Sequence, residues 1–146
     1  VTLFDALRED HRTQRTLLDL LIKTEGASDG RDELFHRLKA ALQQHAAAEE
    51  RALYIPMMEH DLTQEKARHS VAEHHAIDEL LETLEETSYS SPGWLAHARR
   101  LQEQVIHHLD EEEQEVFQLA GRALPDDQKR RLAEIYHEAM TKGSAE

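Results

Sequence analysis

Apolar residues recur along the chain every three or four positions, the period of helices that bury one face. Phe4, Leu7, Leu18, Leu21 and Ile22 make the first stripe, in a helix expected from about Leu3 to Thr24. Thr2 and Asp5 stand at its start with capping-box spacing, and Gly26, Ser28, Asp29 and Gly30 break it. A second helix is expected from about Arg31 to Tyr54, with Leu34, Leu38, Ala41, Leu42, Ala48, Ala52 and Leu53 inward and Pro56 kinking or ending it. Thr63 is the expected cap of a third, from Gln64 to Glu86, with Ala67, Val71, Ile77, Leu80, Leu81 and Leu84 inward. After the turn TSYSS, Ser91 as cap and Pro92 at the first helical position open a fourth, reaching about Ala120. Its inward residues are Trp94, Leu101, Val105, Leu109, Val116 and Leu119. Pro125, Asp126 and Asp127 open a short fifth helix with Leu132, Ile135 and Tyr136 apolar, and the tail KGSAE is expected to fray. Four long helices on short links predict an all-α, up-down-up-down four-helix bundle with a short C-terminal fifth helix.

Composition narrows the class. The 146 residues suit one domain, 1–146. Five Gly and three Pro are few, which suits helices. Seventeen Lys and Arg against thirty Asp and Glu leave a net charge of −13, which argues against nucleic acid or an anionic membrane as partner. Cysteine is absent, so disulfides, thiolate catalysis, thiolate zinc sites and iron–sulfur clusters are excluded. The longest apolar stretch, Ala52 to Met58, is too short to span a membrane, and the acidic start VTLFDALRED lacks the basic region of a signal peptide. A cytoplasmic protein, monomeric or weakly dimeric, is the expectation. Eleven His against seven aromatic residues is a high count for so acidic a chain, and their positions give it meaning.

Four of the eleven fall on inward stripes. His11 lies four residues after Leu7 and seven before Leu18; His45 lies seven after Leu38. His74 lies three after Val71 and three before Ile77; His108 lies seven after Leu101 and three after Val105. Glu49 and Glu112 follow His45 and His108 at i+4, on the same face. In the pairs His74–His75 and His107–His108, helical phase selects His74 and His108. A single inward His is ordinarily a hydrogen-bonded core residue. Four of them with two carboxylates are not, because unpaired buried carboxylates cost several kcal/mol each. A pair of cations resolves this, with two His to each metal and both Glu bridging. Nitrogen and oxygen ligands suit iron, manganese or zinc rather than copper(I). Glu50, Glu73, Glu111 and Glu113 are expected as solvated charge beside the ligands. His36, His60, His69, His97 and His137 are expected on the surface, and Trp94 in the core. Tyr54 lies about 140° from Glu49 on an ideal helix, but a π-bulge near Pro56 would turn it inward as an additional ligand. Asp78, one turn after His74, could hydrogen-bond a ligand or a bound water as a supporting group.

The order H … HxxxE … H … HxxxE on four helices resembles the hemerythrin-like, or HHE cation-binding, domains. DH at 10–11, HAAAEERALYIP at 45–56, EHHAIDELL at 73–81 and HLDEEEQEVF at 108–117 carry the likeness, which spans about Leu3 to Ala123. The resemblance implies two iron ions in an oxo- or hydroxo-bridged non-haem centre. One would be held by His11 and His45, the other by His74 and His108, with Glu49 and Glu112 bridging. Oxygen-carrying hemerythrins have a further His one turn after the third ligand, where this chain has Asp78, and a terminal His and Asp where it has His108 and Glu112. That departure disfavours reversible oxygen carriage. It favours a di-iron oxidoreductase with catalase- or peroxidase-like activity, acting on H2O2, on nitric oxide with peroxide, or otherwise on O2. Reversible O2 binding or sensing, or an iron-responsive regulatory module, is the alternative.

Overall fold

A computed structural model describes residues 2–145, with side chains through residue 141. Four helices build the bundle: α1 (Leu3–Ile22), α2 (Asp29–Glu49), α3 (Gln64–Glu86) and α4 (Pro92–Glu111). Two of them do not stop at those limits. The helix of α2 continues through a π-helical turn, Glu50–Tyr54, into a last turn, Ile55–Met57. That of α4 continues through a second π-helical turn, Glu112–Val116, into Phe117–Ala123. A fifth helix, α5 (Asp126–Ala145), packs against α1 and α2. At 20 residues it is as long as α1, so it is not the short appendage that the sequence pattern suggests, and it carries the expected frayed tail in helical form through Ala145. Glu146 lies outside the described residues.

The helix ends follow local chemistry. The Thr2 hydroxyl accepts from the Asp5 N–H at 3.1 Å, and the Asp5 carboxylate accepts from the Thr2 N–H at 3.2 Å, closing a capping box. Ser28 and Ser91 cap α2 and α4 through their hydroxyls. Gly26, at φ 55°, takes the left-handed turn between α1 and α2. Thr63 precedes α3 but does not cap it with its side chain: its buried hydroxyl donates to the Met57 carbonyl at 2.6 Å and ties down the preceding loop.

The two π turns explain where the inward faces depart from a regular helix. In each, a backbone N–H reaches five residues back, Ile55 to Glu50 and Phe117 to Glu112. The extra residue advances the phase by one position. Tyr54 therefore becomes fully buried beside Leu53. Phe117 and Ala120, not Leu119, face the core at the end of the fourth bundle helix; Leu119 is half-buried.

The apolar core has two parts. One lies toward α5 and includes Leu3, Leu7, Leu53, Met57, Phe117 and Leu132. The other fills the opposite end and includes Leu18, Leu38, Leu81, Trp94 and Leu101. His11, His45, His74 and His108 each fall, along their own helix, between residues of these two parts, so a polar layer separates them. Among the described residues, no helix is long and apolar enough to cross a membrane.

Candidate metal centre

Each bundle helix delivers one buried imidazole to the polar layer. His11, His45, His74 and His108 are exposed by 0, 4, 6 and 3%, and Glu49 and Glu112 by 0 and 1%. Their neighbours His75 and His107 are exposed. Each glutamate turns one oxygen to each half of the cluster. Glu112 Oε1 lies 3.0 Å from His11 Nε2, and its Oε2 lies 3.0 Å from His108 Nε2. Glu49 Oε2 lies 3.5 Å from His45 Nε2, and its Oε1 lies 3.2 Å from His74 Nε2. Two four-residue donor sets result, His11–His45–Glu49–Glu112 and Glu49–His74–His108–Glu112, each with ligand atoms within 4.8 Å of one another. Neighbouring donors around an octahedral ion with bonds of ~2.1 Å are about 3.0 Å apart, so these spacings suit a first-row cation.

The outward nitrogens carry the arrangement further. Each of the four imidazoles faces a carboxylate with its other ring nitrogen. His11 Nδ1 meets Glu113 at 2.8 Å, His45 Nδ1 meets Asp10 at 3.2 Å, His74 Nδ1 faces Glu50 at 3.5 Å, and His108 Nδ1 meets Glu73 at 2.8 Å. Glu73 is itself buried, and Arg15 pairs with Glu113 at 2.9 Å. Three of the four glutamates expected as solvated charge, Glu50, Glu73 and Glu113, are thus partners of the imidazoles; Glu111 pairs instead with surface His69 and His107. Such partners hold Nδ1–H and turn Nε2 inward, where its lone pair serves a cation once the ring is neutral. His74 Nε2 and His108 Nε2 lie 3.1 Å apart and point at a common space. Buried and without a hydrogen-bond partner are His11 Nε2, His45 Nε2, Glu49 Oε1 and Oε2, and Glu112 Oε1. Orphaned buried acceptors are costly, and a positive ion among them removes the cost.

Residues 2–120 match the profile of the Hemerythrin HHE cation binding domain. The chain belongs to this family. Among solved structures, the hemerythrin HHE cation binding domain-containing protein from Mycobacterium kansasii shares the fold, with a TM-score of 0.86 and 24% identity over 98% of this chain and 87% of that one. Among curated proteins no match is found. As a cation-binding HHE domain, the chain has in its polar layer a donor set that fits the metal such domains bind.

Electrostatics show how uneasy this HHE layer is without a cation. Burial, with the charge of Glu49, pushes the Glu112 carboxyl well above its usual range. Glu49 faces the same burial, but the charge of His45, at 3.5 Å, and the His74 imidazole, at 3.2 Å, hold it well below. The two facing carboxylates therefore do not both ionise. Burial, then the charge of His45, push His11 down to about 4. Burial also works against charging His45 and His74, yet Glu49, with Asp10 for the first and Glu50 for the second, raises each to about 9. Burial works to raise Asp10 and Glu113 too, but their bonds to the imidazoles outweigh it and leave both low.

Two aromatic residues sit at equivalent places, nine after His45 and nine after His108, each turned in by its π segment. The Tyr54 ring tilts against His74 at 5.6 Å, and its hydroxyl donates to Glu112 Oε2. Phe117 stacks on His11 at 5.8 Å. The halves thus differ: a phenol reaches the His74–His108 side and a plain ring the other. Tyr136, from α5, contacts His45 Nδ1 at 2.7 Å and donates to Asp10. Asp78 is half-buried and, with Gln14, His45, His74 and His108, lines a cavity of about 20 Å3. Of the His expected on the surface, His36, His69 and His137 are exposed, while His60 and His97 are half-buried. Trp94 is fully buried.

The sequence held a signal for the missed carboxylates. Asp10 and Glu73 each precede an inward His; Glu50 and Glu113 each follow an inward Glu. An acid beside a ligand on one helix therefore meets the imidazole of another. Tyr136 had no such signal, because only the docking of α5 brings it to the cluster.

Proposed function

We propose that this chain holds two iron ions and uses them on small oxidant ligands, by H2O2 decomposition, peroxide-dependent nitric oxide oxidation, or both. His11 and His45 hold one iron, His74 and His108 the other, and Glu49 and Glu112 bridge. The observation that carries the reading is the pair of donor sets sharing two glutamates, beside a cavity of about 20 Å3. That space admits one water-sized molecule, which suits O2, H2O2 or NO and excludes larger substrates. When bound, the iron pair supplies the redox chemistry.

The chain's own residues supply the rest. Glu113, Asp10, Glu50 and Glu73 keep the imidazoles oriented and electron-rich. Gln14 is buried on the cavity wall, and its Nε2 has no acceptor, so its amide can donate to an oxygen of a ligand there. Asp78, on the same wall, offers an acceptor for a proton of peroxide or water. Tyr54 serves as a further ligand on the side where Asp78 replaces an imidazole. An anionic phenolate favours ferric iron and works against stable oxygen carriage.

Elemental analysis with an optical spectrum, followed by an H2O2 assay, tests this. Two irons per chain and peroxide consumption, alone or with nitric oxide, are the expected result. One metal per chain after growth in iron-replete medium would remove the di-iron reading. Clean cycling between deoxy and oxy forms in air, without peroxide consumption, would replace turnover by oxygen binding.

A further inference from the structure

A second set of ligating side chains lies outside the buried layer, on the solvent side of α3 and α4. His69–Glu73 and His107–Glu111 repeat the HxxxE spacing of the inner cluster, one motif on each of two neighbouring helices. His69 Nε2 lies 3.1 Å from Glu111 Oε1 and 3.5 Å from Glu73 Oε2. His107 Nε2 lies 3.3 Å from Glu111 Oε2 and 3.7 Å from Glu73 Oε2. Both imidazoles thus turn the same ring nitrogen to the same two carboxylates. Among the described residues neither carboxylate is paired with a Lys or Arg; nearby Lys66 is engaged by Glu115 at 3.0 Å. Glu73 is only 7% exposed, and its Oε1 is taken by His108 Nδ1. Its Oε2 is therefore held in place, aimed between the two imidazoles, without freedom to swing into water.

We propose that His69, Glu73, His107 and Glu111 form a solvent-open site for a divalent cation of the zinc or ferrous type. Two nitrogens and two oxygens match the ligand preference of such ions. Donors around a tetrahedral ion with bonds of ~2.0–2.1 Å stand about 3.3 Å apart. His69, Glu73 and Glu111 already offer ligand atoms within 4.8 Å of one another, with contacts of 3.1 and 3.5 Å near that value, and exposed His107, 3.3 Å from Glu111 and 3.7 Å from Glu73, completes the set by rotating toward them. Glu73 joins this site to the inner cluster: one oxygen faces the surface ion and the other holds His108. An ion at the surface draws charge from Glu73 and weakens its hold on His108. This coupling, unlike the binding itself, rests on the di-iron reading.

Zinc titration of the iron-loaded protein, by equilibrium dialysis with iron and zinc both counted, tests the proposal. The expected result is one zinc per chain beyond the inner metals, without loss of iron. His69→Ala with His107→Ala should weaken that zinc at least tenfold and leave iron content and helicity unchanged, since both side chains are exposed. His11→Ala, which removes an inner ligand, should lower iron and leave the outer zinc in place, separating the two sites. The iron absorption bands should shift when zinc is added to the native protein and stay fixed in the double variant. No zinc uptake beyond the inner metals, or equal uptake by the double variant, would overturn the site; uptake with unmoved iron bands would overturn the coupling.

Discussion

At the scale of single residues, the carboxylates behind the imidazoles decide how well the cluster binds. Glu113 bonds His11 and is steadied by Arg15. Glu113→Gln keeps the shape but weakens the polarisation of His11, so metal affinity should fall by about 10–100-fold with the fold intact; competition with a chelator measures this. Unchanged affinity would show that burial alone orients His11. The four inward His and two Glu were legible because 3.6-residue periodicity puts them in phase with Leu and Val. Glu50, Glu73 and Glu113 were not, because on its own helix each sits beside the stripe and only the neighbouring helix supplies its partner. Tyr54 stands between these cases. If it ligates iron, Tyr54→Phe makes the His74–His108 side resemble the side that Phe117 already covers, and a visible phenolate-to-iron band should vanish. An unchanged spectrum would leave Tyr54 as a hydrogen-bond donor to Glu112 only.

At the scale of elements, the two π turns set which residues follow the ligands into the core. Regular periodicity places Val116 and Leu119 inward; the inserted residue replaces Leu119 by Phe117 and Ala120. Pro56 hinted at the first disturbance, since it cannot donate to the helix behind it. No proline lies within a turn of the second, so nothing in the sequence marked it. Deleting exposed Arg51 removes the extra residue of the first π turn. Tyr54 then follows Glu49 at i+4 on a regular α-helix, so it should keep facing Glu112, with any Tyr54-dependent absorption and most helical signal retained. A π turn that persisted would instead carry Tyr54 about 100° off that face and remove such absorption, and would show that packing rather than residue count imposes it. The fifth helix is the other element that sequence undervalues. Its apolar residues Leu132 and Tyr136 are visible in the pattern, but the contact of Tyr136 with Asp10 and His45 arises only from docking. Tyr136→Phe should keep the helix packed and loosen His45, lowering metal affinity by several-fold rather than abolishing it.

At the scale of the whole molecule, the bundle keeps a polar layer between two apolar ones, and the cost of that layer depends on what fills it. A metal that binds only the folded chain stabilises it, by about 4 kcal/mol at a thousand times the dissociation constant, so the loaded protein should melt well above the metal-free one. The size of that gap depends on pH in a definite direction. In the metal-free fold His45 and His74 titrate near 9, above the ordinary 6.5. Their contribution to stability is fully present below about 6.5 and is lost as pH rises through 9. His11, pushed down to about 4, acts only below that window: its contribution is complete above 6.5 and falls away in acid. In the loaded protein the imidazoles give their lone pairs to metal and carry no proton to lose. The metal-free melting temperature should therefore fall between pH 6.5 and 9 while that of the loaded protein holds. Metal uptake should release protons over the same range, and affinity should climb with pH. Calorimetry of both forms at the two pH values measures the gap directly. Parallel melting curves would mean that His45 and His74 are not charged in the metal-free fold, and that Glu49 finds its compensation elsewhere.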